Sequence, residues 1–208
     1  MRDPLDDAVA ALARGDLVIF PTDTVYGLAA RPDGAAAVRK LFQAKRRPDD
    51  LGVPVLVASA AEAHRLARFD GPAERLATAW PGPITLVLPR TRESEPWDLG
   101  GDAATVAIRV PRHPLALALL ARTGPLAVTS ANVSGRPPLE DADSLAGAFG
   151  DDVAIYLCLD APLHGSPSTV VDLTGEAPRV LRAGIVPEAD IARLLASEGP
   201  LLDSRPSP

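Results

Sequence analysis

The chain is poor in several residues on which common protein chemistries depend. Among its 208 residues there is one cysteine, Cys158, within the apolar stretch VAIYLCL. A single cysteine cannot form an internal disulfide, and we interpret it as a small buried hydrophobe and not as a nucleophile. Aromatic residues make up 4% of the chain, so the core must be built from valine, leucine, isoleucine and alanine. The 21 basic residues include only two lysines, Lys40 and Lys45.

Long hydrophobic segments are also missing. No apolar run approaches the roughly 20 residues needed to span a membrane, and the acidic N-terminal stretch MRDPLDDAVAAL lacks the apolar centre of a signal peptide. These features predict a cytoplasmic protein without membrane contact. The net charge of −6 argues against nucleic-acid binding driven by the field of the whole protein, although it leaves room for a local basic pocket.

Motifs of the common catalytic classes are absent from the sequence. There is no G-x-x-x-x-G-K-[ST] phosphate loop, no G-x-G-x-x-G and no G-x-S-x-G elbow. The three histidines, His64, His113 and His164, do not have metal-ligand spacing. Ser130-Ala131-Asn132 resembles the S-D-N element of penicillin-binding enzymes, but their S-x-x-K nucleophile motif is missing. Nucleophilic hydrolysis therefore has little support.

Hydrophobic periodicity predicts an α/β protein with a mixed sheet. The predicted helices cover residues 5–14, 35–44, 60–68, 72–79, 114–122, 140–149 and 187–196. The predicted strands cover residues 17–20, 53–58, 84–88, 105–110, 126–129, 153–159, 169–173 and 179–182. Because the last two strands follow each other without a helix, part of the sheet is expected to be antiparallel. We expect one domain over residues 1–196 and a loosely ordered tail over 197–208.

Basic residues cluster around the end of the second predicted helix. Five of the nine residues from Arg39 to Arg47 are basic. Lys45 and Arg47 lie just past the predicted helix end, where cations favour the helix dipole, and this structural role would be sufficient to explain them. The alternative is a polyphosphate clamp, because lysine supplies a point charge and arginine a bidentate fork for phosphate oxygens.

Polar side chains also gather at the ends of predicted strands. Thr24 and Tyr26 follow the strand 17–20, and Ser130, Asn132 and Ser134 follow the strand 126–129. Such residues are ordinary turn formers, but ligands of open α/β sheets bind at the carboxyl ends of strands.

Two strands contain arginine, and a hydroxyl pair opens a third. Arg109 lies inside the apolar strand VAIRVP, where an arginine is paired, at a sheet edge, or directed at an anionic ligand. Ser168-Thr169 opens one late strand and Arg182 ends the other. Together with the basic cluster, these residues predict a polar anion-binding cleft without a nucleophile of its own. Such a cleft suits adenylate or phosphoryl chemistry that proceeds by positioning and charge neutralisation.

The chain resembles the YrdC/TsaC family, the L-threonylcarbamoyladenylate synthases. The resemblance rests on six motifs in the family's order: PTDTVYGL, KRRP, WPGPITLVL, IRVPRHP, TSANVSG and STVVDL with LRAG. It extends from about Leu5 to Ile185, and the chain is similar to the single-domain members.

The resemblance implies a twisted, open mixed sheet flanked by helices, with a concave and positively lined cleft. It implies condensation of L-threonine, bicarbonate and ATP, with Mg²⁺ on the phosphates, to threonylcarbamoyl-AMP and pyrophosphate. The product would pass to a separate transferase complex that modifies tRNA to threonylcarbamoyladenosine. Whether this chain contacts tRNA directly is left open.

The family's functional residues transfer to matching positions of this sequence. Lys45 and Arg47 are implied to be catalytic, binding the triphosphate and steadying charge as pyrophosphate leaves. The threonine-binding residues implied are Thr24, Tyr26, Arg109, Ser130 and Ser168. The nucleotide-binding residues implied are Lys45, Arg47, Thr105, Asn132, Ser134 and Arg182.

The sequence departs from the family pattern at two positions. A histidine that follows the K-x-R-P segment in many members is absent, and Leu56 or Ala58 takes its place, depending on the alignment. The threonine that usually follows S-A-N-x-S-G is also absent, with Glu140 near its position. Whether the loop 46–53 closes over ATP, and how many chains associate, is not determined by the sequence.

Two other functions remain possible at this stage. One is a non-catalytic module that binds double-stranded RNA or tRNA in the same cleft, and the acidic net charge weighs against it. The other is a carbamoyl-transfer enzyme of the hydrogenase-maturation type, but those proteins are longer and carry acylphosphatase and zinc-finger segments that this sequence does not show.

Overall fold

A single mixed sheet organises the molecule, as seen in a computed structural model that describes residues 3–46 and 52–197. Within these ranges nine strands hydrogen-bond in the order β7-β1-β2-β6-β3-β5-β4-β8-β9. The strands are β1 Val18–Phe20, β2 Gly27–Ala30, β3 Val55–Leu56, β4 Ile84–Pro89, β5 Thr105–Arg109, β6 Leu126–Ser130, β7 Ile155–Tyr156, β8 Thr169–Asp172 and β9 Arg179–Arg182. Three neighbouring pairs are parallel, namely β1 with β7, β3 with β5, and β4 with β8, and the other five are antiparallel.

Helices pack on both faces of this sheet. They are α1 Pro4–Ala13, α2 Ala35–Lys45, α3 Ala60–Leu66, α4 Gly71–Ala77, α5 Pro114–Thr123, α6 Ala142–Phe149 and α7 Glu188–Ala196, with a short 3₁₀ turn at Gly150–Asp152. Side chains cap several N-termini: Asp3, Ser59, Asp70 and Asp141 each accept a hydrogen bond from a backbone amide in the first turn. No helix of the described ranges combines the length and the apolar composition needed to cross a lipid bilayer.

Two hydrophobic clusters lie on opposite faces of the sheet, because successive strand residues point in opposite directions. Ile19 and Leu28 belong to the larger cluster, whose helical members come from α2, α3, α4, α6 and α7. Val18 and Phe20 belong to the smaller cluster, which is completed by α1 and α5. On this second face helices cover β1, β2 and β6. Across β5, β4 and β8 the same face carries the polar side chains described in the next section.

The fold class predicted from the sequence is confirmed, and so is the antiparallel pairing of the last two strands. Strand β2 was not predicted, because Gly27, Ala29 and Ala30 have low strand propensity. It forms because β1 and β6 hydrogen-bond to it from both sides. Two predicted strands are shorter than expected: 53–58 is reduced to β3, and 153–159 to β7.

The end of α2 also differs from the prediction. Lys45 was placed past the helix, but it is the last helical residue, and Arg46 ends the helix in the left-handed conformation with φ of 50°. The predicted tail lies outside the described residues except for Ser197, and the division into one domain and a tail stays a prediction.

Candidate active site

A cleft of about 480 Å³ lies on the sheet face that α1 and α5 leave uncovered. Alternate residues of several strands line it, as the two-residue repeat of a strand requires. The lining strand residues include Thr85 and Val87 of β4, Thr105, Ala107 and Arg109 of β5, Val128 and Ser130 of β6, and Val170 of β8. Val106 and Thr129, which lie between members of this set, also contribute. Other intervening residues, such as Leu86 and Ile108, point into the larger hydrophobic cluster on the other face. The sequence had suggested a site at the ends of strands. The structure instead places the cleft along a face of the sheet.

The loop between β1 and β2 forms one wall of the cleft. Thr22 organises this loop: its hydroxyl donates to the Val25 carbonyl at 2.6 Å and accepts from the Thr24 and Val25 amides at 3.2 Å each. Phe20 pairs with Gly27, which also pairs with Ser130, so the loop and the end of β6 lie at the same edge of the sheet. The hydrogen bonds of Thr22 therefore determine where Thr24 enters the cleft.

Arg109 is buried at the end of β5 and makes three hydrogen bonds. Its Nε donates to the Gly82 carbonyl at 3.0 Å, its Nη1 to the Thr24 hydroxyl at 3.0 Å, and its Nη2 to Asp23 Oδ1 at 2.5 Å. Burial lowers the pKa of Arg109, while the charge of Asp23 opposes that shift. A guanidinium has five N–H groups, so two remain for a ligand after these three contacts in the described structure.

Ser168 and Arg182 form the opposite wall. The Ser168 hydroxyl lies 2.8 Å from that of Thr85 and accepts from Arg182 Nη2 at 3.0 Å. Arg182 also donates to the Ser168 carbonyl through Nε and Nη2, at 3.2 and 2.9 Å. Because β8 and β9 are antiparallel neighbours, the residue before β8 and the last residue of β9 meet. Arg182 is held there although it is exposed.

Lys45 is buried beside the end of β6 and is not among the described residues that line the cleft. Its ammonium group donates to the Ser130 carbonyl at 2.7 Å and to Asn132 Oδ1 at 2.8 Å, and it lies 3.4 Å from the Ser130 hydroxyl. The Ser130 hydroxyl donates to Asn132 Oδ1 at 2.6 Å. The Asn132 amide nitrogen donates to the Val133 and Arg136 carbonyls. Lys45 thus reaches the cleft through Ser130, which does line it.

Two further predicted residues have different environments. Thr105 lines the cleft at the start of β5 and donates to the Asp102 carbonyl at 3.3 Å. Ser134 is exposed, and its backbone amide donates to the Lys45 carbonyl at 3.0 Å, so the structure does not bring its side chain into the cleft. Arg47 lies outside the described residues. Of the two candidates for the absent histidine position, Leu56 lines the cleft and Ala58 does not.

Tyr26 is fully buried directly before β2 and lines the cleft. Its hydroxyl accepts a hydrogen bond from the Leu159 amide at 2.9 Å, and burial raises its pKa. This contact ties the loop between β1 and β2 to the segment 159–168, which leads to Ser168. Tyr26 therefore connects two walls of the cleft.

Sequence reasoning missed several residues of the site. Asp23 was not identified as a site residue, because its pairing with Arg109, distant in sequence, has no local signal. Arg90 is buried and donates to the carbonyls of Thr105, Ser94 and Trp97 at 2.6–2.9 Å, which fixes the segment leading into β5. An arginine directly after an apolar strand, as in LVLPR, was the available signal for this residue. Thr85 is internal to an apolar strand, and its alternation with Leu86 could have identified it.

The fold and the cleft together define a class: an α/β protein with a cleft on one sheet face that guanidinium and hydroxyl groups line. The family model described as telomere recombination, which covers the Sua5, YciO and YrdC proteins, matches residues 10–184. The chain belongs to the Sua5/YciO/YrdC family.

Individual relatives agree with this assignment. A Mycobacterium tuberculosis protein is 44% identical over 190 residues, which are 90% of this chain and 87% of that protein. The threonylcarbamoyl-AMP synthase of Pyrococcus abyssi is 39% identical over 191 residues, 90% of this chain and 56% of that protein. The crystal structure of P. abyssi Sua5 complexed with L-threonine has 34% identity and a TM-score of 0.83, covering 94% of this chain and 59% of that one. The chain therefore spans somewhat more than half the length of its Pyrococcus relatives.

Proposed function

We propose that this chain is a threonylcarbamoyl-AMP synthase, which condenses L-threonine, bicarbonate and ATP to threonylcarbamoyl-AMP and pyrophosphate. The observation that carries the proposal is the convergence of Thr24, Arg109, Ser130, Ser168 and Arg182 on one cleft. These residues come from distant parts of the chain, and each supplies a donor for an anionic or hydroxylated ligand. Relatives named as this synthase support the reaction, and the solved relative with bound L-threonine supports the amino-acid substrate.

In this proposal the amino acid binds between the β1–β2 loop and Ser168. The two N–H groups that Arg109 retains would bind the threonine carboxylate as a charge-assisted pair. The hydroxyls of Thr24 and Ser168 would bind the remaining polar groups, with Tyr26 as part of the pocket wall. Burial strengthens these contacts because the low local dielectric reduces screening.

The nucleotide would occupy the rest of the cleft, towards Thr105, Ser130 and Arg182. Arg182 is exposed and already oriented by Ser168, so it can reach a phosphate or the nascent carbamate. Lys45 and Arg47 would neutralise the triphosphate. For Lys45 to touch phosphate, its ammonium group must exchange an acceptor such as the Ser130 carbonyl for a phosphate oxygen. Asn132 and Ser134, in the loop after β6, would also bind the nucleotide.

The chemistry needs no protein nucleophile. The deprotonated amine of threonine attacks bicarbonate-derived carbon and forms a carbamate with loss of water. A carbamate oxygen then attacks the α-phosphorus of ATP, the bond to the bridging oxygen breaks, and pyrophosphate leaves with the electron pair. The protein contributes orientation of the two substrates and positive charge along the phosphates.

Mg²⁺ would be carried mainly by the phosphates of ATP, because this ion keeps most of its ligands from substrate and water. The described residues contain no group of three or more histidine, cysteine or acidic side chains that could hold a metal. Asp102 is the carboxylate among the described lining residues, and one of its oxygens accepts from the Ala104 amide at 2.9 Å. The other oxygen could accept a hydrogen bond from a water molecule coordinated to Mg²⁺.

We further propose that the product passes to a tRNA threonylcarbamoyl-transferase complex and that the protein works in the cytoplasm, where its nucleotide and tRNA partners are found. The RNA-binding alternative gains no support from the site. A cleft with buried hydroxyls around Arg109 suits a small ligand, whereas an RNA-binding face requires an exposed basic surface.

The test is pyrophosphate release from ATP by the purified protein. Release should require both threonine and bicarbonate, and Lys45→Ala or Arg47→Ala should reduce it at least about a hundredfold, corresponding to roughly 2.7 kcal/mol of transition-state stabilisation. Lys40→Ala is the matched control: Lys40 is the other lysine, half-exposed and bonded to Gly15 and Asp16 on the surface, and its loss should leave the rate unchanged. Pyrophosphate release that does not depend on threonine would contradict the proposed substrate.

A further inference from the structure

Asp23 forms a buried ion pair with the arginine of the amino-acid pocket. The side chains of Asp23 and Arg109 are 11% and 6% exposed, and Nη2 of the arginine lies 2.5 Å from Oδ1 of the aspartate. Arg109 and Thr24 line the cleft, whereas Asp23 is not among the described lining residues. The carboxylate therefore stands behind the guanidinium as seen from the ligand.

This carboxylate is only partly engaged. Asp23 Oδ2 is inaccessible to solvent and has no hydrogen-bond partner among the described residues. A buried carboxylate with a free oxygen keeps much of its negative potential, because neither water nor a second donor screens it. Its field acts on anything bound a few ångströms away in the pocket.

The other charged groups near the pair do not cancel this effect. Arg182 is close enough to Arg109 to contribute to the lowering of that residue's pKa. Arg90 and Asp102, which also line the cleft, carry opposite charges. His113 also lies within the field of Asp23, but burial lowers its pKa despite that field, and the imidazole is neutral at neutral pH. Asp23 is thus the carboxylate that directly offsets the charge of Arg109.

We infer that Asp23 is a specificity-determining residue, which offsets Arg109 so that the pocket selects an amino-acid zwitterion over a simple carboxylate. This inference rests on the proposed function of the cleft. A carboxylate ligand is attracted by both arginines and repelled by Asp23. A ligand that also carries an ammonium group recovers that loss, because its cation is attracted by Asp23. Asp23 acts through the field and through the orientation of Arg109, so it is a positioning residue and does not itself react.

The size of the effect follows from Coulomb's law at an effective dielectric constant of about 20. A unit charge some 6–8 Å from an ammonium group then changes its binding by about 2 kcal/mol, roughly thirtyfold, and partial solvation reduces this to about tenfold. The preference for the zwitterion over the simple anion should therefore fall about tenfold when the charge of Asp23 is removed.

The experiment measures ligand selectivity by calorimetry. L-threonine, β-hydroxybutyrate and L-threonine amide are titrated into the wild-type protein and into Asp23→Asn. β-Hydroxybutyrate is threonine without its amino group, and the amide lacks the carboxylate charge. In the wild-type protein, threonine should bind at least about tenfold more tightly than β-hydroxybutyrate. In Asp23→Asn the ratio of the two affinities should fall about tenfold, even if both ligands bind more weakly because Arg109 is less well oriented.

Asp33→Asn is the matched control. Asp33 forms an ion pair with Arg31 on the surface, with side chains half-exposed, and this change should leave the affinity ratio as it is in the wild type. The selectivity ratio separates a charge effect from structural damage, because partial unfolding lowers both affinities by the same factor.

The outcomes distinguish this inference from the proposed function. An affinity ratio that is equal in Asp23→Asn and in the wild type would overturn the inference alone. Equal binding of threonine and β-hydroxybutyrate by the wild-type protein would do the same, without any need for the variant to fold. If the wild-type protein binds no threonine, or binds the amide as well as the acid, the amino-acid site itself is refuted together with the inference.

Discussion

Gly165 packs directly against the backbone of Thr24, so a side chain as small as a methyl group does not fit there. A Cβ on this residue would lie 1.6 Å from the Thr24 carbonyl oxygen. Gly165→Ala should therefore displace either the segment before Ser168 or the β1–β2 loop. We expect the free energy of unfolding to fall by about 1–3 kcal/mol, as in other overpacked sites, and the KM for threonine to rise. Urea titration and threonine-dependent pyrophosphate release measure the two effects.

Gly147 provides the control for this substitution. It lies within α6, and a Cβ at this position would meet no atom within 4 Å. Gly147→Ala should stabilise the protein by up to about 1 kcal/mol, because alanine has the higher helix propensity, and should leave KM unchanged. Identical effects of the two substitutions would contradict the packing argument.

Arg90 is a second position where one buried side chain stabilises the cleft, which it also lines. It is 4% exposed, and its guanidinium satisfies three backbone carbonyls that lead into Thr105. Arg90→Ala removes these donors and leaves buried acceptors unpaired, so the free energy of unfolding should fall by about 2–4 kcal/mol. Chemical denaturation measures this loss. The control is Arg92→Ala, because Arg92 is an exposed arginine of the same segment. Equal stability of the two variants would show that water replaces Arg90 as the hydrogen-bond donor to the three carbonyls.

Helices α3 and α4 are joined by a histidine whose protonation depends on both of them. His64 Nδ1 lies 2.6 Å from the Ala60 carbonyl, Nε2 lies 2.9 Å from Glu74, and the ring stacks on Phe69 at 4.1 Å. Desolvation opposes the charged form, but the Ala60 carbonyl and the Glu74 carboxylate outweigh it and raise the pKa of His64. Both ring nitrogens face acceptors, so the imidazolium is the form that satisfies both contacts.

A raised pKa in the folded state means that this contact stabilises the protein in mild acid. The contribution is fully present below the unfolded pKa of about 6.5 and is lost as pH rises through the folded value. The stability difference between the wild type and Glu74→Gln should therefore be larger at about pH 5.5 than at about pH 8.5. Denaturation curves at the two pH values test this. A stability difference between the two proteins that grows with pH would show that the pKa of His64 is not raised in the folded state.

The whole molecule should respond to ligand binding, because the cleft is assembled from strands at both ends of the chain. A ligand that bridges the β1–β2 loop and the β8–β9 pair stabilises the native sheet as a unit. Threonine at about a hundredfold its dissociation constant should add roughly 2.7 kcal/mol to the free energy of unfolding. A thermal-shift measurement with threonine, serine and ATP detects this, and no shift with threonine would contradict the amino-acid site.

Local sequence patterns determined most of the elements and many of the candidate residues of this protein. Some signals extend over only a few positions and are therefore visible in the sequence. They are the helical periodicity of α2, the apolar run of β4 and the capping residues of the helices. The same holds for Arg109, which stands out because a charged residue inside an apolar strand needs a partner.

Only the tertiary structure decided which partner each polar residue has. The pairing of Arg109 with Asp23 and of Lys45 with Ser130 joins residues more than 80 positions apart, and no local pattern encodes such contacts. Strand β2 likewise exists because its neighbours hydrogen-bond to it, against the propensity of its own residues. Long-range contacts depend on how the sheet brings the strands together, and the cleft is a property of that arrangement.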